Sequence, residues 1–438
     1  MREYLKSNYQ LILLCLIWVG VGMVFNELIS LGIIFGSVLL LRKKLLYQEL
    51  FIAFIVLLIF SDSREHEMEF AKSAKSFYIL ILFLFLLFSR KDFQINNNLF
   101  ILFLPFITLS FFLIPFSYNW TICLQKTFSY AALLIITPTY IIKIFEEKGS
   151  AFFRDLIFTL ALVLFTGLIL KYFWTGAIHA DERFRGIFGN PNGLGLYCIF
   201  FFLLLKTVEN YFSGMFNKWD RIFLYSVIFL SVIFSSSRNS IISILIFLLF
   251  MRIAKMSPYF TVIIFIAILF SYEYILSNSE QLIYRLGFGD YFRISTLETG
   301  SGRNVAWTFA WEKIQDNFFF GKGFSYDIAV FYTDDAQHRL NLLGHQGNAH
   351  NSILSIWLNT GIVGLVLFMI GFILTFIKCA KNTIIALPIM FSVLFSATFE
   401  SWMVASLNPI TIQLWIILTI MISSEFNILK NENSLPLH

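Results

Sequence analysis

The chain has 438 residues, of which 58% are hydrophobic, 18% aromatic and 13% charged, with a formal net charge of +5. A water-facing globule of that size would run out of polar side chains for its surface, so soluble enzymes, disordered chains and nucleic-acid-binding modules are excluded. Four cysteines (Cys15, Cys123, Cys198, Cys379) lie in or beside apolar runs without metal spacing, which argues against a disulfide-stapled secreted fold.

The remaining class is an all-α, polytopic membrane protein. Backbone groups in lipid must be satisfied internally, and no alternating segments of barrel length occur, so the apolar runs are expected as helices. With roughly 17–20 apolar residues needed per span, fourteen candidates follow: 9–25, 27–41, 47–61, 75–89, 98–116, 127–143, 155–174, 191–206, 222–236, 240–255, 257–276, 351–376, 383–399 and 407–424. The first four are short, and 9–41 also reads as one broken helix, so the expected count is 12 to 14. The first apolar run lacks a small-residue cleavage site and is followed at once by another, as a retained first span would be. The expected organisation is a helical region 1–277, a long loop 278–350 containing a short amphipathic helix, and a helical region 351–438 ending in a short tail.

Charge sets the expected orientation. With the amino terminus in the cytoplasm, 18 of the 32 Lys and Arg residues fall in cytoplasmic segments. Six of the others lie in the long loop, which the positive-inside rule does not count. Both termini are then cytoplasmic, and 278–350 lies on the outer face.

Several polar clusters share that face. Arg183-Phe-Arg185 leads through Gly189-Asn190-Pro191-Asn192-Gly193 into a span. Asn190 suits an N-cap and Pro191 the first helical position, so the stretch reads either as a helix start with a tight turn or as an anion site. Ser235-Ser236-Ser237-Arg238-Asn239-Ser240 occupies a very short outer loop, where Arg238 either snorkels to lipid phosphates or enters a polar pocket. Arg303-Asn304 opens a predicted amphipathic helix whose apolar positions 307, 310, 311 and 314 include two tryptophans suited to the headgroup layer. Asn348-Ala-His350-Asn351 precedes the span 351–376, with Gly361 and Gly364 inside it. His350 reads as structural or as a proton acceptor, since the positive end of a helix dipole favours an uncharged ring. Arginines beside outward-facing helix starts describe a receptor for a phosphate or diphosphate head.

His350-Asn351, nine residues, then Gly361-x-x-Gly364 resembles the histidine–glycine motif of the O-antigen polymerase and O-antigen ligase family. Gly189-Asn-Pro-Asn192, Ser237-Arg238 and Gly302-Arg303-(x)3-Trp307 resemble its other signatures, in order, over residues 183–370. The resemblance implies an inverting, metal-independent glycosyltransferase of the C-type (GT-C) membrane fold, without a cofactor, in a bacterial inner membrane with its active site facing the periplasm. Its donor would be a glycan on undecaprenyl diphosphate. His350 would take the proton of the acceptor hydroxyl, Arg238 and Arg303 would hold the diphosphate with Arg185 assisting, and Asn351, Asn190 and Asn192 would support them. A polymerase, whose acceptor is a second lipid-linked repeat unit, is preferred to a ligase acting on the lipid A core. A chain-length regulator protein is a further candidate partner. A flippase is the rival from another class, but ion-coupled transport places ionisable groups near the bilayer midplane, and these spans carry almost none there.

Overall fold

The computed structural model describes residues 1–89, 91–278, 285, 303–341 and 347–426. Among them the ordered structure is helical, apart from an isolated antiparallel bridge between Ile178 and Phe184. Seven helices are long and apolar enough to cross a membrane, by length and composition, and five further apolar helices are shorter. With Lys218–Ser235 and Arg238–Ile253 these occupy all fourteen segments read from the sequence. The stretch 9–41 is two helices. Arg2–Val24 (α1) ends before Asn26, which caps Glu27–Ser37 (α2) by accepting from the Ile29 N–H at 3.0 Å.

The chain divides into two compact units, and the division passes through three helices. The first comprises residues 1–100, 129–240 and the chain from 407. Its centre is made by Leu46–Asp62 (α3), Pro191–Tyr211 (α8) and Pro409–Ile422 (α17). Every residue of α3 from Gln48 to Ser61 is buried, and α17 is buried through Met421; a helix that is apolar on all sides can only be satisfied inside a bundle or in lipid. Phe70–Phe88 (α4), Ala151–Leu170 (α7) and Lys218–Ser235 (α9) pack around these three. The abundance of Phe has a packing use here: the rings of Phe145, Phe153, Phe212 and Phe426 meet with centroid separations of 4.7–6.3 Å, within the range favoured by offset and edge-to-face pairs.

The second unit comprises residues 101–128 and 241–406. It contains most of Asn98–Phe112 (α5) and Arg238–Ile253 (α10), the first turns of Trp120–Lys148 (α6), and Pro258–Asn278 (α11). Beyond the long loop follow Arg303–Gln315 (α12), Tyr326–Phe331 (α13), Asp334–Asn341 (α14), Ser352–Asn382 (α15) and Ala386–Phe399 (α16). One apolar cluster joins Phe250 and Phe265 to Phe391, Phe395 and Phe399. A second joins α12, α13 and α14 to the start of α15.

The amphipathic helix is found where its periodicity placed it, with positions 310 and 314 buried as expected and 306 and 309 buried in place of 307 and 311. Ala306, Phe309, Ala310 and Ile314 are its buried residues, so α12 packs by this face into the second cluster. Trp311 stands edge-on to Trp357 at 5.3 Å and Trp307 lies against Phe399 at 6.3 Å. The tryptophans therefore tie α12 to α15 and α16, because those helices offer apolar partners that a sequence window does not reveal.

Phe153→Ala is expected to remove about 3–5 kcal/mol of stability, as loss of a buried aromatic ring typically does. The thermal unfolding midpoint of the detergent-solubilised protein, compared with wild type, measures it.

Candidate active site

Asn351 adopts extended backbone and caps α15, its Oδ1 accepting from the Leu354 N–H at 3.0 Å. Short polar side chains satisfy the orphan donors of a helix start in this way. His350 precedes the cap with φ of 44°, a left-handed conformation that costs a non-glycine residue about 1–2 kcal/mol. Asn348 Oδ1 supports it by accepting from the His350 N–H at 2.7 Å.

The chain that leaves α16 closes over this helix start. Asn351 N–H donates to Ser401 Oγ at 2.9 Å, Ser352 Oγ donates to the Glu400 carbonyl at 2.6 Å, and Met403 N–H donates to Ser352 Oγ at 3.2 Å. The Ser355 and Ser401 hydroxyls lie 3.0 Å apart. These bonds deliver the Glu400 carboxylate between two basic groups: Oε2 is 3.0 Å from His350 Nδ1, and Oε1 is 3.2 Å from Arg303 Nη2. Arg303 begins α12, and its guanidinium lies 5.6 Å from the centre of the Phe399 ring. The side chains of Glu400, Arg303 and His350 are 9%, 20% and 22% exposed, so the group is sheltered and still reachable.

Burial alone raises a carboxyl pKa. At Glu400 that effect is outweighed by the charge and hydrogen bond of His350 and then by those of Arg303, and the carboxyl is held below its usual range. An ionised carboxylate can only accept hydrogen bonds. Nδ1 of His350 therefore donates the proton of the shared bond, and whenever the ring is uncharged its lone pair is at Nε2. An acid-held imidazole beside a guanidinium can take a proton while the guanidinium receives an anion.

The two motif glycines differ in their roles. At Gly361 φ is 69° and ψ −179°, a combination available essentially to glycine. The helix breaks there. Ile362 and Val363 donate to the carbonyls of Phe318 at 2.8 Å and Phe319 at 3.2 Å instead of to their own helix. A methyl group on Gly361 would lie 2.1 Å from the Phe319 carbonyl oxygen. A methyl group on Gly364 would lie 2.2 Å from Thr360 Oγ1 of the same helix and 3.4 Å from Leu109 of α5.

The remaining predicted residues belong to the first unit. Arg238 opens α10 two residues after Ser236, whose φ is 49°. It is only 7% exposed, and its sequence neighbours Ser235, Ser237, Asn239 and Ser240 are buried as well. Asn190 caps α8 by accepting from the Gly193 N–H at 2.8 Å. Asn192 accepts from Arg183 Nη1 at 3.2 Å. Arg185 donates to the carbonyls of Gly176 at 2.8 Å and Gly189 at 3.3 Å and pairs with Glu65, and so organises the loop before α8. Thr299–Gly302, part of the glycine–arginine signature, lie outside the described residues.

Sequence reasoning placed Arg303, His350 and Asn351 as site residues, and the structure brings them together. It did not single out Glu400 as a site residue. The available signal was an ionisable residue at the edge of a span, which is by default a functional candidate.

A family model described as O-antigen ligase matches residues 223–369. The matched region includes Arg238, Arg303, His350, Asn351, Gly361 and Gly364. No curated protein matches the chain. The chain thus combines helices long and apolar enough to cross a membrane with a region similar to O-antigen ligases.

Glu400→Gln is expected to lower the thermal midpoint at pH 7. Because the folded carboxyl titrates below its usual value, the wild-type advantage is complete above about pH 4.3 and disappears as pH falls through the lower folded value. Unfolding midpoints of the two proteins across that range provide the comparison.

Proposed function

Since the chain carries a domain of the O-antigen ligase and polymerase family, we propose that it is an O-antigen polymerase, transferring a growing glycan from undecaprenyl diphosphate to a lipid-linked repeat unit. The acceptor hydroxyl gives its proton to His350 Nε2 as its oxygen attacks the anomeric carbon. The bond from that carbon to the diphosphate oxygen breaks, and configuration inverts. Glu400 keeps Nδ1 protonated, which holds the ring in the tautomer the step requires. Arg303 meets the departing diphosphate, since Glu400 engages Nη2 and a guanidinium has further donors. Arg238, in the first unit, is proposed as a phosphate-binding residue in its own right, Asn351 fixes the helix start behind the base, and Arg185 with Asn190 and Asn192 shapes the loop entering α8. Guanidinium groups, without a divalent ion, neutralise the leaving group.

The observation that carries this reading is the Glu400 carboxylate shared between His350 and Arg303. The distribution of basic residues supports both termini in the cytoplasm of a bacterial inner membrane and the site facing the periplasm. The protein is read as a C-type (GT-C) glycosyltransferase.

Base assistance is typically worth ~10²–10⁴ in rate. His350→Ala should therefore remove chain extension to that degree while the protein accumulates normally, and full-length polymer from the variant would rule out the base assignment. Arg303→Lys should be strongly impaired as well, because an ammonium cannot offer a forked donor set. Incubation with synthetic lipid-linked repeat units, read as ladders on a gel, tests both.

The description of the matched family favours a second reading, a ligase that moves the finished glycan once to the lipid A core. Gene deletion separates the two. Loss of a polymerase leaves core bearing one repeat unit, whereas loss of a ligase leaves core bearing none.

A further inference from the structure

The first unit contains an apolar cavity of about 420 Å³ that the proposed chemistry does not use. Its walls are one side of α1 from Tyr4 to Met23, the facing parts of α3 and α7, and the loop beyond α7. At ~1.5 Å per residue the α1 wall is about 28 Å long, close to the ~30 Å hydrocarbon thickness of a bilayer. One end is closed by the hydrogen bond between Tyr4 OH and Thr159 Oγ1, 3.0 Å long. Along the side the rim is apolar and open, with Leu16 64% and Met23 62% exposed.

The other end carries a charge. Glu67 lines the cavity there, in the turn His66–Met68. That turn is seated on α1 through Gly22, where a methyl group would lie 2.2 Å from the Glu67 carbonyl oxygen. The neighbouring acids have partners: Glu69 meets His66 and Lys72, and Glu65 meets Arg185. Glu67 makes no ion pair among the described residues.

A slot of this shape forfeits dispersion contacts when empty and offers water too few polar partners. A hydrocarbon chain entering between α1 and α7 supplies those contacts. The carboxylate at the mouth then selects among headgroups, because it attracts an ammonium and repels a diphosphate. We infer that the slot binds an aminophospholipid of the phosphatidylethanolamine type, with an acyl chain along α1 and the ammonium at Glu67. The inference does not depend on the glycosyltransferase reading.

The full-length protein, delipidated in detergent, is exposed to equal amounts of phosphatidylethanolamine and phosphatidylglycerol with matched chains and read by native mass spectrometry. Wild type should retain the aminophospholipid about two- to fivefold over the glycerol lipid, the range an exposed ion pair supports. Glu67→Gln should keep lipid but lose the preference, and Val163→Trp, which fills the slot, should lose both lipids. Cys15 gives a readout independent of variant folding, since it lines the slot and is partly exposed while the other three cysteines are buried. Phosphatidylethanolamine should slow its alkylation by a maleimide in wild type. Equal retention, a preference that survives Glu67→Gln, preferential retention of a polyisoprenyl diphosphate, or unshielded Cys15 would each overturn the inference.

Discussion

A carboxylate withdrawn from water is tolerated only when its oxygens meet partners that repay the lost hydration. Glu400 meets that condition with one oxygen on His350 Nδ1 and the other on Arg303 Nη2. Much of the second unit serves this arrangement. Serines 352, 355 and 401 tie the chain after α16 to the first turn of α15, and Asn348 and Asn351 hold the backbone on either side of His350. The carboxylate thus connects three stretches of chain, at α12, at the start of α15 and at the end of α16. Because each side chain is held by neighbours before any ligand arrives, little reorganisation is left for the moment of reaction, which is where electrostatic preorganisation acts.

The break in α15 is the second device of this unit. Nine residues separate Asn351 from Gly361, so a short helical segment with its own ends stands between the cap and the break. The loop 318–323 closes the break from outside, supplying carbonyls to Ile362 and Val363 and bringing Gly321 against the Asn359 carbonyl. Trp357 Nε1 adds a bond to the same Phe318 carbonyl at 3.2 Å. Backbone donors released inside a long apolar helix must find other acceptors, and the loop provides them. This links the motif glycine to the orientation of the helical segment that His350 precedes.

The first unit uses its polar residues differently. Arg185 gathers Gly176, Gly189 and Glu65 around the loop before α8, so its positive charge is spent on shape. Arg238 sits buried at a helix start among serines. These two arginines look alike in the sequence, each near an outward-facing helix start. What separates them is the fold: Arg185 is engaged by the loop before α8 and by Glu65, whereas Arg238 is buried.

Hydropathy and charge were enough to define the helical membrane class, the positions of the apolar segments and the motif residues Arg238, Arg303 and His350, because lipid forces long apolar runs to be helices and local spacing identifies helix starts. The same local information located α12 but only part of its inward face, the rest being chosen by the surfaces of α15 and α16. Glu400 stood 50 residues beyond His350 with no pattern joining them, and only tertiary packing brought its carboxylate to the imidazole. Gly361 could be recognised as a motif position, whereas its role as a helix break arose from the loop that packs against it. Periodicity records what a residue does for its own helix; a shared proton or a buried ion pair depends on distance in space, which the folded chain alone decides.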